Sequence, residues 1–231
     1  MTKANFLRVS LNHAQFTQGL WYLLFETVFL QSLLDALNWI LPVPMDDALR
    51  NFLFCFINFT AVILIFRQYL VQFFQVEAMD YLKTLAVSAV FFCIYKAAFL
   101  GMTWLITALE PSYSNANDTY IIQLIRDQYF LMFTGTVILV PVAEETLFRG
   151  VLFRGLYEHS APAAWILSTT VFCLIHILGY LGQGPWILLL SFLQYLPAGL
   201  CLAAAYRLSG SILSPILIHM AVNATGMLAL R

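Results

Sequence analysis

The chain has 231 residues, of which 61% are hydrophobic and only 10% charged, and its formal net charge at pH 7 is −1. Soluble domains carry about a quarter charged residues and under half apolar ones, so this composition is typical of an integral membrane protein. Such hydrophobicity excludes an intrinsically disordered chain, and the near-neutral charge offers no basic surface for nucleic acid.

Seven apolar stretches are long enough to cross the hydrocarbon core of a bilayer, which needs roughly 20 residues of helix. The sequence therefore predicts an all-α, polytopic transmembrane helix bundle of about seven spans. The longest polar connection, from Glu110 to Gln128, is too short for a separate domain. The stretches are Leu20–Leu41, Leu49–Val71, Leu82–Leu109, Tyr129–Leu152, Ala163–Leu181, Trp186–Tyr206 and Ser211–Leu230.

The placement of lysine and arginine predicts the orientation of these spans. The side of the N-terminus collects Lys3, Arg8, Arg67, Lys83, Arg149, Arg154 and Arg207, whereas the other side has Arg50, Arg126 and Arg231. Because basic residues accumulate in the cytoplasm, we expect a cytoplasmic N-terminus and an exterior C-terminus. The short chain and its lean loops favour a multi-pass protein of a bacterial plasma membrane.

The fourth stretch contains two adjacent carboxylates, Glu144 and Glu145, at membrane depth. Ionisable groups at such depth are costly and are functional candidates by default. Glu145 and Arg149 are four residues apart, so they share a helix face and can pair. Glu144 points about 100° away, without that partner, as a general base would. The alternative interpretation is a structural Glu–Arg pair with a second glutamate near the interface.

Two further stretches contribute histidines. His176 lies in the fifth, and a lone intramembrane histidine is more often a hydrogen-bonded packing residue than a catalyst. His219 and Asn223 in the seventh are four residues apart and share a face. A carboxylate and a histidine together can deprotonate water, and a second histidine with an amide can donate to a developing oxyanion.

These residues form three motifs that resemble those of the CAAX prenyl endopeptidase and bacteriocin-processing (abortive-infection, CPBP) family of intramembrane proteases. The motifs, in this order on successive helices, are Glu144-Glu145-x-x-x-Arg149, Phe172-x-x-x-His176 and His219-x-x-x-Asn223. The resemblance covers about the last 95 residues. We therefore expect a CAAX-protease-like catalytic core over residues 129–231 and N-terminal membrane spans of unassigned role over residues 1–128.

The resemblance implies hydrolysis of a peptide bond in a membrane-associated peptide or protein, within the bilayer and near its cytoplasmic face. It also implies a role for each matching residue. Those roles are water activation by Glu144 and His176, an oxyanion hole from His219 and Asn223, and support of the site by Glu145 and Arg149.

The sequence does not decide whether catalysis uses a metal ion. Glu144, His176 and His219 have the composition of a two-histidine, one-carboxylate zinc site, but the chain has no HExxH motif. We favour metal-free catalysis by glutamate and histidine, and assign no metal ligand.

Two other functions stay open at this stage. One is a non-catalytic membrane partner or immunity protein of the same family. The other is a proton-coupled transporter, because intramembrane acids and histidines also form proton relays, although no internal repeat is visible. Glu26, Asp35 and Lys96 in the first and third stretches are expected to pair across the bundle or to line a water-filled cavity.

Overall fold

The computed structural model describes residues 11–73 and 78–229, and within these ranges the chain is all α. Five helices are long and apolar enough to cross a membrane. They are α1 (His13–Ile40), α2 (Asp47–Gln72), α3 (Ala78–Leu109), α5 (Gln128–Tyr157) and α7 (Pro185–Ser209). The prediction of an all-α, multi-pass membrane protein is confirmed to this extent.

Two shorter apolar helices account for the fifth and seventh predicted stretches. They are α6 (Ala161–His176) and α8 (Leu213–Ala229), of 16 and 17 residues. At a rise of 1.5 Å per residue each is about 25 Å long, less than the hydrocarbon core of about 30 Å. Helix α6 ends earlier than the sequence predicts because a 3₁₀ turn, Leu178–Tyr180, follows it.

The segment from Glu110 to Gln128, expected to be a polar connection, contains an additional helix. This helix, α4 (residues 116–127), is separated from α5 by a kink at Gln128, where φ is −137° and ψ is 54°. Leu124 and Ile125 on α4 are buried against Ala48 and Met132, on α2 and α5. The apolar residues of α4 have helical spacing, but the many polar residues between them are typical of a loop.

Local side-chain chemistry explains where several helices begin and end. Helix α1 begins with a capping box, in which Asn12 accepts from the Gln15 backbone N–H at 2.7 Å and Gln15 accepts from the Asn12 backbone N–H at 3.1 Å. Asp46 caps α2 by accepting from the Leu49 backbone N–H at 2.7 Å. Helix α7 ends at Gly210, whose φ of 75° is readily adopted only by glycine.

Helix α5 lies at the centre of the bundle. Its residues 145–154 are buried without interruption, so the helix is enclosed on every face rather than on one stripe. Its buried apolar side chains form one core with residues of α2, α6, α7 and α8. Helices α6 and α7 approach closely at Gly199, where an added Cβ would lie 2.7 Å from Thr169 Cγ2. The glycine is therefore required by packing.

Candidate active site

A fully buried ion pair on α5 anchors the site. Arg149 Nε lies 3.2 Å from Glu145 Oε2, and neither side chain is exposed to solvent. Nη2 of Arg149 donates to the backbone carbonyls of Ala198 and Gly199 on α7, at 3.3 and 3.4 Å. The guanidinium carbon also lies 4.4 Å from the centre of the Phe172 ring on α6. Arg149 thus holds the carboxylate of Glu145 and joins three helices.

Glu145 has a second partner that the sequence did not indicate. His219 Nδ1 on α8 lies 2.8 Å from Glu145 Oε1, whereas the sequence only placed His219 in the same site as Glu144. The carboxylate of Glu145 therefore bridges Arg149 and the histidine. This contact sets which nitrogen of His219 faces away from α5.

Glu144 faces the other histidine. Glu144 Oε2 lies 3.8 Å from His176 Nε2, which is longer than a direct hydrogen bond. His176 Nδ1 lies 2.8 Å from the Phe172 carbonyl oxygen, so the tautomer with hydrogen on Nδ1 donates there and leaves Nε2 as an acceptor. Glu144 Oε2 is buried and has no hydrogen-bond partner among the described residues. Two acceptors without donors thus face each other.

Asn223 is held by a backbone irregularity in α5. Two π-helical segments, Thr134–Leu139 and Thr146–Phe153, flank the short α-helical segment that contains Glu144. In the first of them the Val140 N–H bonds to the Gly135 carbonyl, five residues back. The next such donor would be residue 141, but Pro141 has no N–H. Asn223 Nδ2 takes that place and donates to the Thr136 carbonyl at 2.9 Å.

This arrangement explains why a proline and π-helical turns occur beside the site. Segments of π-helix are rare and are frequently found at functional sites. The amide of Asn223 has two N–H groups, and the Thr136 carbonyl occupies one of them. The other N–H is available to a ligand. The presence of Pro141 in the sequence shows that a backbone carbonyl one turn earlier lacks its donor, but only the structure shows that Asn223 replaces that donor.

The geometry does not support the three-ligand metal site that the sequence left open. Glu144 is placed against His176 and Glu145 against His219, which gives two separate pairs. Among residues 11–73 and 78–229, no three histidine, cysteine or acidic side chains are arranged to hold a metal ion. The described residues therefore do not bring Glu144, His176 and His219 together as one three-ligand set.

The acidic and basic residues of the first and third spans do not pair with one another. Asp35 lies 3.3 Å from Arg50 on α2, and Lys96 donates to Thr225 on α8 at 3.3 Å. Glu26 is only 8% exposed and makes no hydrogen bond or ion pair with a described residue. In the sequence, Glu26 was notable only as an acidic residue within an apolar stretch.

The comparisons with known proteins agree with the three motifs. Residues 126–225 match the family model of the Rce1-like type II CAAX prenyl endopeptidases, a range that contains all the candidate residues named from the sequence. No curated protein and no solved structure gave a significant match to the chain.

The fold and the match define an α-helical membrane protein with a protease-family domain. The chain carries, at residues 126–225, a domain of the Rce1-like type II CAAX prenyl endopeptidase family, and the resemblance seen in the sequence is confirmed. Membership implies a protease that acts on a protein or peptide.

Proposed function

We propose that this chain is an endopeptidase that hydrolyses a peptide bond of a membrane-associated peptide or protein, with Glu144 and His176 activating the water. The observation that carries the proposal is the 3.8 Å separation of Glu144 Oε2 and His176 Nε2. One water molecule about 2.8 Å from both atoms can donate a hydrogen to each of them. Such a water is oriented and deprotonated in one place.

In the first step the water oxygen bonds to the peptide carbonyl carbon while one of its protons passes to the Glu144 carboxylate. The carbonyl oxygen becomes an oxyanion. The free N–H of Asn223 donates to it, and so does Nε2–H of a His219 imidazolium whose Nδ1–H is held by Glu145. In the second step the carbon–nitrogen bond breaks and the proton passes from Glu144 to the departing amine. These steps give a carboxylic acid and an amine, and the acid becomes a carboxylate when it loses the second proton of the attacking water to Nε2 of His176.

The supporting pair gives this mechanism its geometry. In this proposal the carboxylate of Glu145 holds Nδ1 of His219, and Arg149 pairs with the same carboxylate at 3.2 Å. The contacts of Arg149 with two α7 carbonyls keep α5 and α7 in register beside the site. In this proposal Glu145 and Arg149 position the catalytic groups and do not touch the reacting atoms.

We further propose that α6 and α8 cross the bilayer with the five long helices. We also propose that the side of the N-terminus, which collects most of the lysines and arginines, faces the cytoplasm of a bacterial cell. The connection before α6 then lies inside and the one after α3 outside. Single cysteines at Ser160 and Ser112, both exposed, test this arrangement in whole cells. A membrane-impermeant maleimide should label the cysteine at 112 and not the one at 160. Labelling at 160 alone would reverse the orientation.

The activity is tested with the full chain in proteoliposomes and a membrane-protein extract of the expression host as substrate. New N-termini are counted by mass spectrometry for the native chain and for Glu144→Gln, which keeps the side-chain shape and removes the base. Their rate of formation should fall by about 10² to 10⁴. The matched control is Glu110→Gln, directly after α3, whose amide oxygen can still accept from the Ser112 hydroxyl and which should behave like the native chain.

Two outcomes would contradict the proposal. Equal cleavage by the native chain and by Glu144→Gln would exclude this residue as the base. No cleavage by the native chain, over extracts and purified signal peptides alike, would favour a non-catalytic partner of the same family.

A further inference from the structure

The ring of His176 contacts two aromatic rings, one from its own helix and one from α7. The centre of the Phe172 ring is 4.3 Å from that of His176, and the centre of the Tyr195 ring is 4.7 Å away. Phe172 belongs to the same motif as His176, one helical turn earlier. Tyr195 comes from α7 and belongs to none of the three motifs. Tyr195 is therefore the second aromatic residue that contacts the His176 ring.

His176 needs a contact of this kind because of where α6 ends. It is the last residue of the helix, and Ile177 after it has left helical geometry, with φ −101° and ψ 6°. The 3₁₀ turn that follows, Leu178–Tyr180, does not continue the α-helix beyond this side chain. The bond from Nδ1 to the Phe172 carbonyl fixes one edge of the ring, but a single hydrogen bond still allows the ring plane to tilt. A second ring against its face restricts the tilt.

Tyr195 is itself held by Asn115, in the connection between α3 and α4. The Tyr195 hydroxyl lies 3.3 Å from Asn115 Nδ2 and 3.4 Å from Oδ1. Asn115 Nδ2 also donates to Gln194 Oε1 at 2.9 Å, and Tyr180 donates its hydroxyl hydrogen to Asn115 Oδ1 at 2.9 Å. Tyr113 donates to the same Gln194 oxygen at 2.6 Å. One amide thus connects the α3–α4 connection, the 3₁₀ turn and α7.

We propose that Tyr195 and Asn115 are positioning residues that hold the His176 ring so that Nε2 faces Glu144. Tyr195 sets the ring plane by contact, and Asn115 fixes Tyr195 by hydrogen bonds. The α3–α4 connection lies before the matched domain, so a residue outside that domain orders a histidine inside it. The catalytic meaning of this arrangement rests on the proposed function, but the positioning itself does not.

The test therefore uses a readout that needs no substrate, the rate at which diethyl pyrocarbonate modifies His176 in the full chain. Mass spectrometry follows each histidine separately, and the exposed His159 is the internal reference. Tyr195→Leu should raise the rate at His176 by about 2- to 10-fold, the factor expected for one lost aromatic contact. Tyr195→Phe keeps the ring and loses the hydroxyl, so it should give a smaller increase, of about 2-fold.

Tyr113→Phe is the matched control, because it removes a hydroxyl from the same network without touching His176. It should leave the rate at His176 unchanged. If Tyr195→Leu does not yield folded protein, Tyr195→Phe carries the test alone. An unchanged rate at His176 in every folded Tyr195 variant would overturn the proposal, and so would an equal increase in Tyr113→Phe.

Turnover gives the second readout. Tyr195→Leu should lower kcat by about 10-fold or more with little change in KM, because a misplaced group acts on the chemical step. Tyr195→Phe should recover most of the loss, which a general loss of structure would not allow. If the native chain cleaves nothing, the proposed function fails. The modification rates of His176 in the native chain and in the Tyr195 variants still decide whether Tyr195 positions the ring.

Discussion

Replacing Arg149 with methionine tests whether the buried ion pair holds the centre of the bundle together. Methionine keeps an apolar stem of similar length and removes the charge. In the native chain Arg149 and Glu145 are both fully buried, with 3.2 Å between Nε and Oε2. After the replacement, Glu145 keeps only His219 as a partner, at 2.8 Å.

The magnitude follows from this burial. Removing one partner of a buried ion pair costs about 3–5 kcal/mol, and we expect a loss at the lower end of this range because His219 still contacts the Glu145 carboxylate. The pair is screened from solvent on every side, so no reduction for exposure applies. The matched control is Arg50→Met, since the carboxylates of Asp35 and Asp47 beside Arg50 are 50% and 59% exposed. Breaking those pairs should cost less than about 1 kcal/mol.

The assay is reversible unfolding in mixed micelles, followed by circular dichroism as the fraction of denaturing detergent rises. The double variant Glu145→Gln, Arg149→Met removes both charges and should recover a substantial part of the loss. Should Arg149→Met cost no more than Arg50→Met, the uncompensated charge of Glu145 is not what destabilises the bundle. A double variant less stable than Arg149→Met would refute the same cause.

Three further predictions concern the site. Pro141→Ala supplies an N–H for the Thr136 carbonyl and should displace the Asn223 amide. We expect kcat to fall by up to about 10² to 10³, as for Asn223→Ala measured beside it, with folded yield maintained. Unchanged kcat would separate the proline from the amide. Glu26→Gln removes a buried carboxylate that has no hydrogen-bond or ion-pair partner among the described residues. It should stabilise the chain by on the order of 1 kcal/mol in the unfolding assay, and destabilisation would contradict this. Incubation with a strong chelator should leave cleavage unchanged, and loss with recovery on adding Zn²⁺ would instead require a metal site that the described side chains do not form.

The local features of this chain follow from the sequence, because hydropathy and helical spacing are properties of neighbouring residues. The predicted stretch Leu49–Val71 corresponds to the helix Asp47–Gln72 in the structure, and the predicted stretch Tyr129–Leu152 corresponds to the helix Gln128–Tyr157. The pairing of Glu145 with Arg149 was equally accessible, since residues four apart on a helix share a face whatever surrounds them. The family was recognisable for the same reason, as each motif lies within one helix.

The contacts between helices were decided only by the tertiary structure. Nothing in the periodicity of α5 or α8 specifies the rotation and the relative shift of two helices more than 50 residues apart in the chain. Those two quantities assign His219 to Glu145 and the Asn223 amide to the Thr136 carbonyl. Helix α4 was predicted as a polar connection because of its many polar residues, and only the packing shows that its apolar residues are buried on α2 and α5. The ring of Tyr195 against His176 likewise exists only because α6 and α7 pack closely enough to bring the two together.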